Sequence, residues 1–228
     1  MQLLLPVTIN TSQTFPTFVG ENNEQIKTEL TTAINSTDFK CLFIAGGVDT
    51  GKTHLLSATC HLATEKNKSS ILVPLEQMVH SSPDIITGIE SMDLVCIDNI
   101  DVITRSAEWQ VAMFNLFNAL MANKATLIIS SHEIPNNLEL SLADLASRLQ
   151  WSTVYQVTEL SEQEKIQALI SHAHHIGFEL TTEVAKFMLS RLPRKMSFLM
   201  QALSTLSKQS VEKQRIVTVP FVKEVLEI

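Results

Sequence analysis

From about residue 15 onward, short apolar runs alternate with segments whose apolar residues recur every three to four positions. Residues 39–44, 70–74, 93–98, 125–130 and 154–157 have the length and β-branched or aliphatic content of strands. The segments between them, 21–34, 51–64, 107–123 and 140–149, carry helical spacing. Leu55, Leu56 and Leu62 share one side of the second, and Trp109, Met113, Phe114, Phe117 and Leu120 form a core stripe along the third. The strand at 93–98 is apolar on both faces. Such strands alternating with helices predict a parallel sheet covered on both sides, an αβα sandwich.

The pattern changes after about residue 160. Ser161-Glu162-Gln163-Glu164 is a capping box. It opens four predicted helices, 161–175, 181–192, 195–208 and 219–227, with no strand between them. Ahead of the sandwich, residues 1–14 read as an arm with a short apolar start. The expected organisation is therefore an arm (1–14), an α/β domain (15–160) and an all-helical subdomain (161–228).

Composition narrows the function classes. Among 228 residues, 6 are Gly and 7 Pro, too few for long flexible linkers. The net charge of −7 argues against autonomous DNA binding, which calls for a basic surface. The one basic cluster is Lys186, Arg191, Arg194 and Lys195. Cys41, Cys60 and Cys96 fit no metal spacing and are expected to be buried thiols in a reducing cytoplasm. The N-terminus lacks the basic start of a signal peptide, and no run reaches the length of a bilayer span.

Gly46-Gly47-Val48-Asp49-Thr50-Gly51-Lys52-Thr53 fits G-x-x-x-x-G-K-[ST] without a deviation. It follows a predicted strand and opens a predicted helix, the context this phosphate-binding loop demands. Glycines let backbone N–H groups turn inward as a nest, and the helix dipole adds positive potential at the same point. Lys52 is expected to reach the β- and γ-phosphates of an adenine nucleotide, ADP or ATP, and Thr53 to ligate Mg²⁺. Leu94-Val95-Cys96-Ile97-Asp98 fits a Walker B strand, with Asp98 as a second Mg²⁺ ligand. The next residue is Asn99, where many hydrolysing relatives of this fold carry an acid. An amide orients a water but does not take its proton, so weak intrinsic hydrolysis at most is expected. Asp101 lies two residues further.

Three more features have plain structural explanations beside functional ones. Arg148 sits at a predicted helix end, where the dipole favours any cation, but its donor fork also suits a phosphate in transfer. His132 follows the strand at 125–130, either as loop or as a γ-phosphate sensor. His172, His174 and His175 lack a further ligand and are read as a helix end rather than a metal site.

Three stretches together resemble the DnaA-related AAA+ family. They are Leu94-Val95-Cys96-Ile97-Asp98-Asn99-Ile100; Asp144-Leu145-Ala146-Ser147-Arg148-Leu149 with Trp151; and Val219-Pro220-Phe221-Val222-Lys223-Glu224-Val225-Leu226. Within that family the likeness is to regulators that inactivate the replication initiator DnaA. At the N-terminus, Gln2-Leu3-Leu4-Leu5-Pro6-Val7 is similar to a sliding-clamp-binding motif. The resemblance implies an ADP-bound cytoplasmic protein that joins the DNA-loaded clamp, the β subunit of DNA polymerase III, through residues 2–7. There it would stimulate hydrolysis of DnaA-bound ATP with Arg148 as an arginine finger acting in trans. It implies that residues after 160 form the AAA+ lid and that the initiator's DNA-binding domain is missing. The lid position aligned with a sensor arginine holds Ser197; Arg194, one turn earlier, is the substitute expected at the nucleotide. Expected partners are thus DnaA and the clamp, with a homo-oligomer left open. Two rivals stand beside this reading. A helicase-loader-like ATPase would share the phosphate loop and finger but has no use for residues 2–7. A small-molecule kinase would need an acceptor pocket and a catalytic base.

Overall fold

The computed structural model describes residues 13–20 and 23–228. The chain forms two compact units. One takes the described residues of 1–15 and 22–158, the other those of 16–21 and 159–228.

In the first unit five strands form one parallel sheet: β1 (Lys40–Ala45), β2 (Ser70–Pro74), β3 (Leu94–Asp98), β4 (Thr126–Ser131) and β5 (Thr153–Gln156), in the order β2-β3-β4-β1-β5. Every residue of β3 and β4 is buried, as in strands covered on both faces. β5 is an edge strand and largely exposed. The helices are α1 (Glu24–Ile34), α2 (Lys52–Glu65), the short α3 (Leu75–Met78), α4 (Ala107–Ala122) and α5 (Ala143–Gln150). Phe43, Val73, Val95, Ile97, Leu127 and Ile129 from one face of the sheet share a core with Trp109, Met113, Phe117 and Leu120 of α4 and Leu145 and Leu149 of α5. Alternate strand residues point to the opposite face, where α2 packs on β2, β3 and β4 and α1 packs on α2.

The parallel register brings the strand ends level. Ala45 pairs with Ser131, and Ile97 with Ile129. Val157, just past β5, donates its N–H to Ala45 O. The carboxyl ends of β1, β3, β4 and β5 therefore open along one edge, where α/β sheets bind ligands.

The second unit contains α6 (Glu162–His175), α7 (Thr182–Arg191), α8 (Met196–Lys213) and α9 (Val219–Leu226). Its core is Leu169, Met188, Leu199, Leu203, Leu206, Phe221 and Val222. Ser161 and Glu164 complete the capping box, while Thr181 and Thr218 cap α7 and α9 through Val184 N–H and Phe221 N–H.

Element boundaries differ from the sequence pattern in places. α5 starts at Ala143 instead of residue 140, because the Ser141 hydroxyl and the Leu142 N–H are both tied to Gln110 Oε1 of α4. α8 continues to Lys213 instead of 208 and stops where Gln214 turns left-handed. Short 3-10 turns at Pro83–Ile86, Ile89–Ser91, Ile100–Arg105 and Pro135–Asn137 carry no apolar period of their own. Of the cysteines, Cys60 and Cys96 are fully buried but Cys41 only partly, because it stands early on β1.

Candidate nucleotide-binding site

β1 delivers the chain to Gly46, whose N–H donates to Ser131 O across the sheet edge. A Cβ at Gly46 would lie 2.7 Å from Val157 O and 2.8 Å from Thr50 Oγ1, so no side chain fits. Asp49 and Gly51 both take positive φ, 61° and 94°, which turns the loop back on itself before α2 begins at Lys52. Right- and left-handed residues in alternation make an anion-binding concavity, and the N-terminus of α2 adds its dipole. Thr50 Oγ1 donates to Gly47 O and braces the turn. Val48 stands exposed at the loop's crest.

The Lys52 ammonium donates to Gly46 O and Gly47 O, both at 2.7 Å. Burial pushes its pKa down, opposed by the attraction of Asp98, Asp101, Asp49 and Glu76. Thr53 Oγ1 donates to Asp98 Oδ2 at 2.7 Å, so a hydroxyl and a carboxylate from α2 and β3 stand side by side. These hard oxygens suit Mg²⁺, and the glycine cradle suits phosphate; the residues present fit a magnesium nucleotide. Ser130 Oγ donates to Asp98 Oδ1 at 2.5 Å and accepts from Asn99 N–H at 2.9 Å. Asn99 itself is left-handed (φ 58°), which starts the 3-10 turn after β3.

Asp101 does not stand free to replace the missing acid. Its carboxylate accepts from the His132 N–H and the Ser131 hydroxyl and pairs with the His132 ring. His132 and Glu133 line a cleft of about 310 Å³ together with Gly46, Gly47, Gln156 and Val157.

Arg148 ends α5. Its guanidinium lies 4.6 Å over the Trp151 ring and 5.8 Å from the centre of Phe117. Among the described residues no carboxylate pairs with it. Trp151 is 69% exposed. Arg194 belongs to the second unit and pairs there with Glu162 at 2.5 Å, both side chains open to solvent. Ser197 is in the first turn of α8. His172, His174 and His175 close α6; burial, then the neighbouring His175, lowers the pKa of His172. Among the described residues no group of His, Cys, Asp and Glu forms a metal site, and no helix is long and apolar enough to cross a membrane. Gln2-Leu3-Leu4-Leu5-Pro6-Val7 lies outside the described residues.

Sequence reasoning missed the Ser130 bridge between Asp98 and Asn99, the Asp101–His132 pair and the Trp151 platform. The adjacent Ser130 and Ser131 at a strand end were a signal; the stacking of residues three apart at a helix end was not.

Residues 9–156 match the family model described as the bacterial DnaA ATPase domain, and residues 162–226 match one described as "Hda, lid domain". Domain III of the Thermotoga maritima replication initiation protein DnaA superposes with a TM-score of 0.79 at 22% identity, covering 97% of this chain and 98% of that one. AMPPCP-bound DnaA from Aquifex aeolicus gives 0.71 at 22% identity, covering 91% and 71%. The Holliday junction branch migration motor RuvB of Thermotoga maritima gives 0.66 at 14% identity, covering 94% and 71%. At these identities the structures speak for the fold, the parallel-sheet AAA+ module with a helical region after it, and the family models carry the assignment. With the phosphate loop, the Walker B strand and the helical C-terminal region all in place, the chain belongs to the DnaA-related AAA+ family.

Proposed function

We propose that this protein is a negative regulator of chromosomal replication initiation. It holds ADP at Gly46–Thr53 and joins the DNA-loaded sliding clamp through residues 2–7. It stimulates hydrolysis of ATP bound to DnaA by inserting Arg148 into the neighbour's site. In this reading the loop N–H groups and Lys52 bind the phosphates, and Thr53 and Asp98 hold Mg²⁺. Arg194 serves as the lid's cation for the nucleotide. Mg²⁺ supplies charge neutralisation between phosphate oxygens when bound.

The observation that carries the reading is the state of Arg148. Its guanidinium has no carboxylate partner among the described residues and stands 4.6 Å over the exposed indole of Trp151. A guanidinium kept off acids and pre-oriented by an aromatic face is suited to a phosphate brought by another molecule. Asn99 fits the same picture: the chain's own site lacks the acid for fast hydrolysis, so its arginine is of use to a partner.

The test follows DnaA-bound ATP and ADP over time on clamp-loaded DNA. Fingers supplied in trans contribute roughly 10³–10⁵ in rate. Arg148→Ala is therefore expected to abolish stimulation while keeping the fold and ADP binding, and Arg148→Lys to rescue poorly because a point charge lacks the fork. Unchanged conversion with Arg148→Ala would overturn the trans-finger reading.

A further inference from the structure

One charged surface of the second unit is left over by the phosphate loop and by Arg148. From Val184 to Val211 the chain carries five Lys or Arg (Lys186, Arg191, Arg194, Lys195 and Lys208) and no Asp or Glu, so all 24 acids of this acidic protein lie elsewhere. The stretch runs through α7 into α8, and all five cations are exposed. Helical spacing puts Ser197, Gln201, Ser204, Thr205 and Lys208 on one side of α8, and every one of them is exposed. Leu199, Ala202, Leu203 and Leu206 take the opposite side and bury in the core of the unit. Cations stand at both ends of the exposed face, Arg194 and Lys195 where α8 begins and Lys208 further along. Lys195 to Lys208 spans about 20 Å at the helical rise. Lys195 is the N-cap residue, and an ammonium offers no acceptor to the first N–H groups of α8, so the positive end of the helix dipole opens beside the cations. Arg194 pairs with Glu162. Arg191, Lys195 and Lys208 have no carboxylate partner among the described residues.

We propose that this exposed face of α8 binds the phosphate backbone of duplex DNA without regard to sequence. Phosphate contacts come from Lys and Arg, from Ser, Thr and Gln side chains and from helix N-termini. The face offers each of these kinds and no acid of its own to repel the anion. Its length of about 20 Å matches roughly six base pairs, so several phosphates of one strand come within reach. The choice of polyanion follows from what stands between the cations. A membrane surface is met by helices that set large apolar side chains against their cations, and over residues 194–208 Phe198 is the one large apolar side chain exposed. A single strand calls for successive aromatic platforms, which one ring does not provide. Net charge sets the strength. The acids elsewhere in the chain oppose a polyanion, so the contact holds at low salt and fades as salt rises, unless a tether to DNA raises the effective concentration. Its use on clamp-loaded DNA rests on the reading above, whereas the contact itself rests on the α8 surface.

The test is fluorescence anisotropy of a labelled duplex of about 30 base pairs, long enough for several such contacts, titrated with the whole chain in saturating ADP. With three cations on phosphates, wild-type affinity is expected to fall about 40-fold between about 50 and about 200 mM salt. Lys195→Ala with Lys208→Ala is expected to weaken binding roughly tenfold at the lower salt and to flatten the salt dependence by about two contacts. Gln201→Glu removes no cation but sets a like charge in the middle of the face, and is expected to weaken binding too. Lys66→Ala, exposed on the first unit, is expected to leave it unchanged. Arg194 is kept in every variant, because the nucleotide reading uses it, and the melting temperature of each variant shows that it folds. No duplex binding by folded wild type at the lower salt overturns the proposal, and so does binding that both α8 variants retain in full. Tighter binding to a single strand of the same length, or binding only to vesicles containing phosphatidylglycerol, gives the face to a different polyanion and overturns it as well. Clamp-loaded DNA separates the two readings. There the α8 variants are expected to dissociate faster than wild type while holding equally to free clamp, and equal dissociation overturns the use of the face on clamp-loaded DNA. Wild type that fails to hold free clamp overturns the clamp reading, and the duplex titration still decides the α8 face.

Discussion

At the scale of single residues, Lys52 is the side-chain cation held inside the loop's turn, donating to both Gly46 O and Gly47 O. Lys52→Ala is expected to abolish ADP binding with the fold retained, and calorimetry reads it directly; equal affinity in the two proteins would remove the phosphate-loop assignment. Asn99 tests the other half of the chemistry. Its backbone is fixed by the bond to Ser130 and by a left-handed turn that asparagine tolerates well. Asn99→Glu would place a proton acceptor where the water of hydrolysis is positioned in relatives that turn over quickly. Steady-state phosphate release by the purified chain is expected to be very slow in wild type and to rise in the variant. An unchanged rate would count against the water-positioning account.

At the scale of elements, the α6 start is a local device with a measurable weight. Ser161 Oγ accepts from Glu164 N–H while the Glu164 carboxylate reaches back to Ser161 N–H. Ser161→Ala is expected to cost roughly 1 kcal/mol in denaturant unfolding, with ADP affinity unchanged. The apolar arm gives a different kind of test. Gln2→Ala with Leu5→Ala is expected to remove retention on DNA-loaded clamp and leave ADP binding as it is. Retention of the double variant would assign the arm another role. These elements also show how much was legible in the sequence. Strand β3 was readable because burial on both faces leaves Leu94–Ile97 as an unbroken apolar run, and α6 because its cap is local. The start of α5 was not, since Gln110 on α4 decides it from more than thirty positions away. In the same way Gly46, Lys52, Thr53 and Asp98 announce themselves by spacing, whereas the Asp101–His132 pair exists only because β3 and β4 are neighbours in the sheet. Register, not composition, created it.

For the whole molecule, ligand and proton both act on stability through the first unit. ADP is expected to raise the melting temperature of wild type and not of Lys52→Ala, because only the folded loop binds it. Acid works in the opposite direction. Asp101 has a depressed pKa in the folded chain, so it contributes stability above the ordinary carboxylate range that is lost as pH falls through the depressed value. Chemical denaturation of wild type and Asp101→Asn across that range is expected to show a gap near neutrality that closes under acid. A constant gap would mean that Asp101 acts by shape rather than charge.

The two tryptophans of the chain divide a spectroscopic task between them. Trp109 is sealed in the core with its indole N–H donated to Val79 O and Ser81 O, so blue emission shielded from collisional quenchers is expected of it. Trp151 is open to solvent, and its π-face carries the Arg148 guanidinium. Red-edge excitation and acrylamide quenching therefore address one indole at the very spot where Arg148 sits. Without an added dye, this indole is expected to report in real time whether Arg148 rests on its ring.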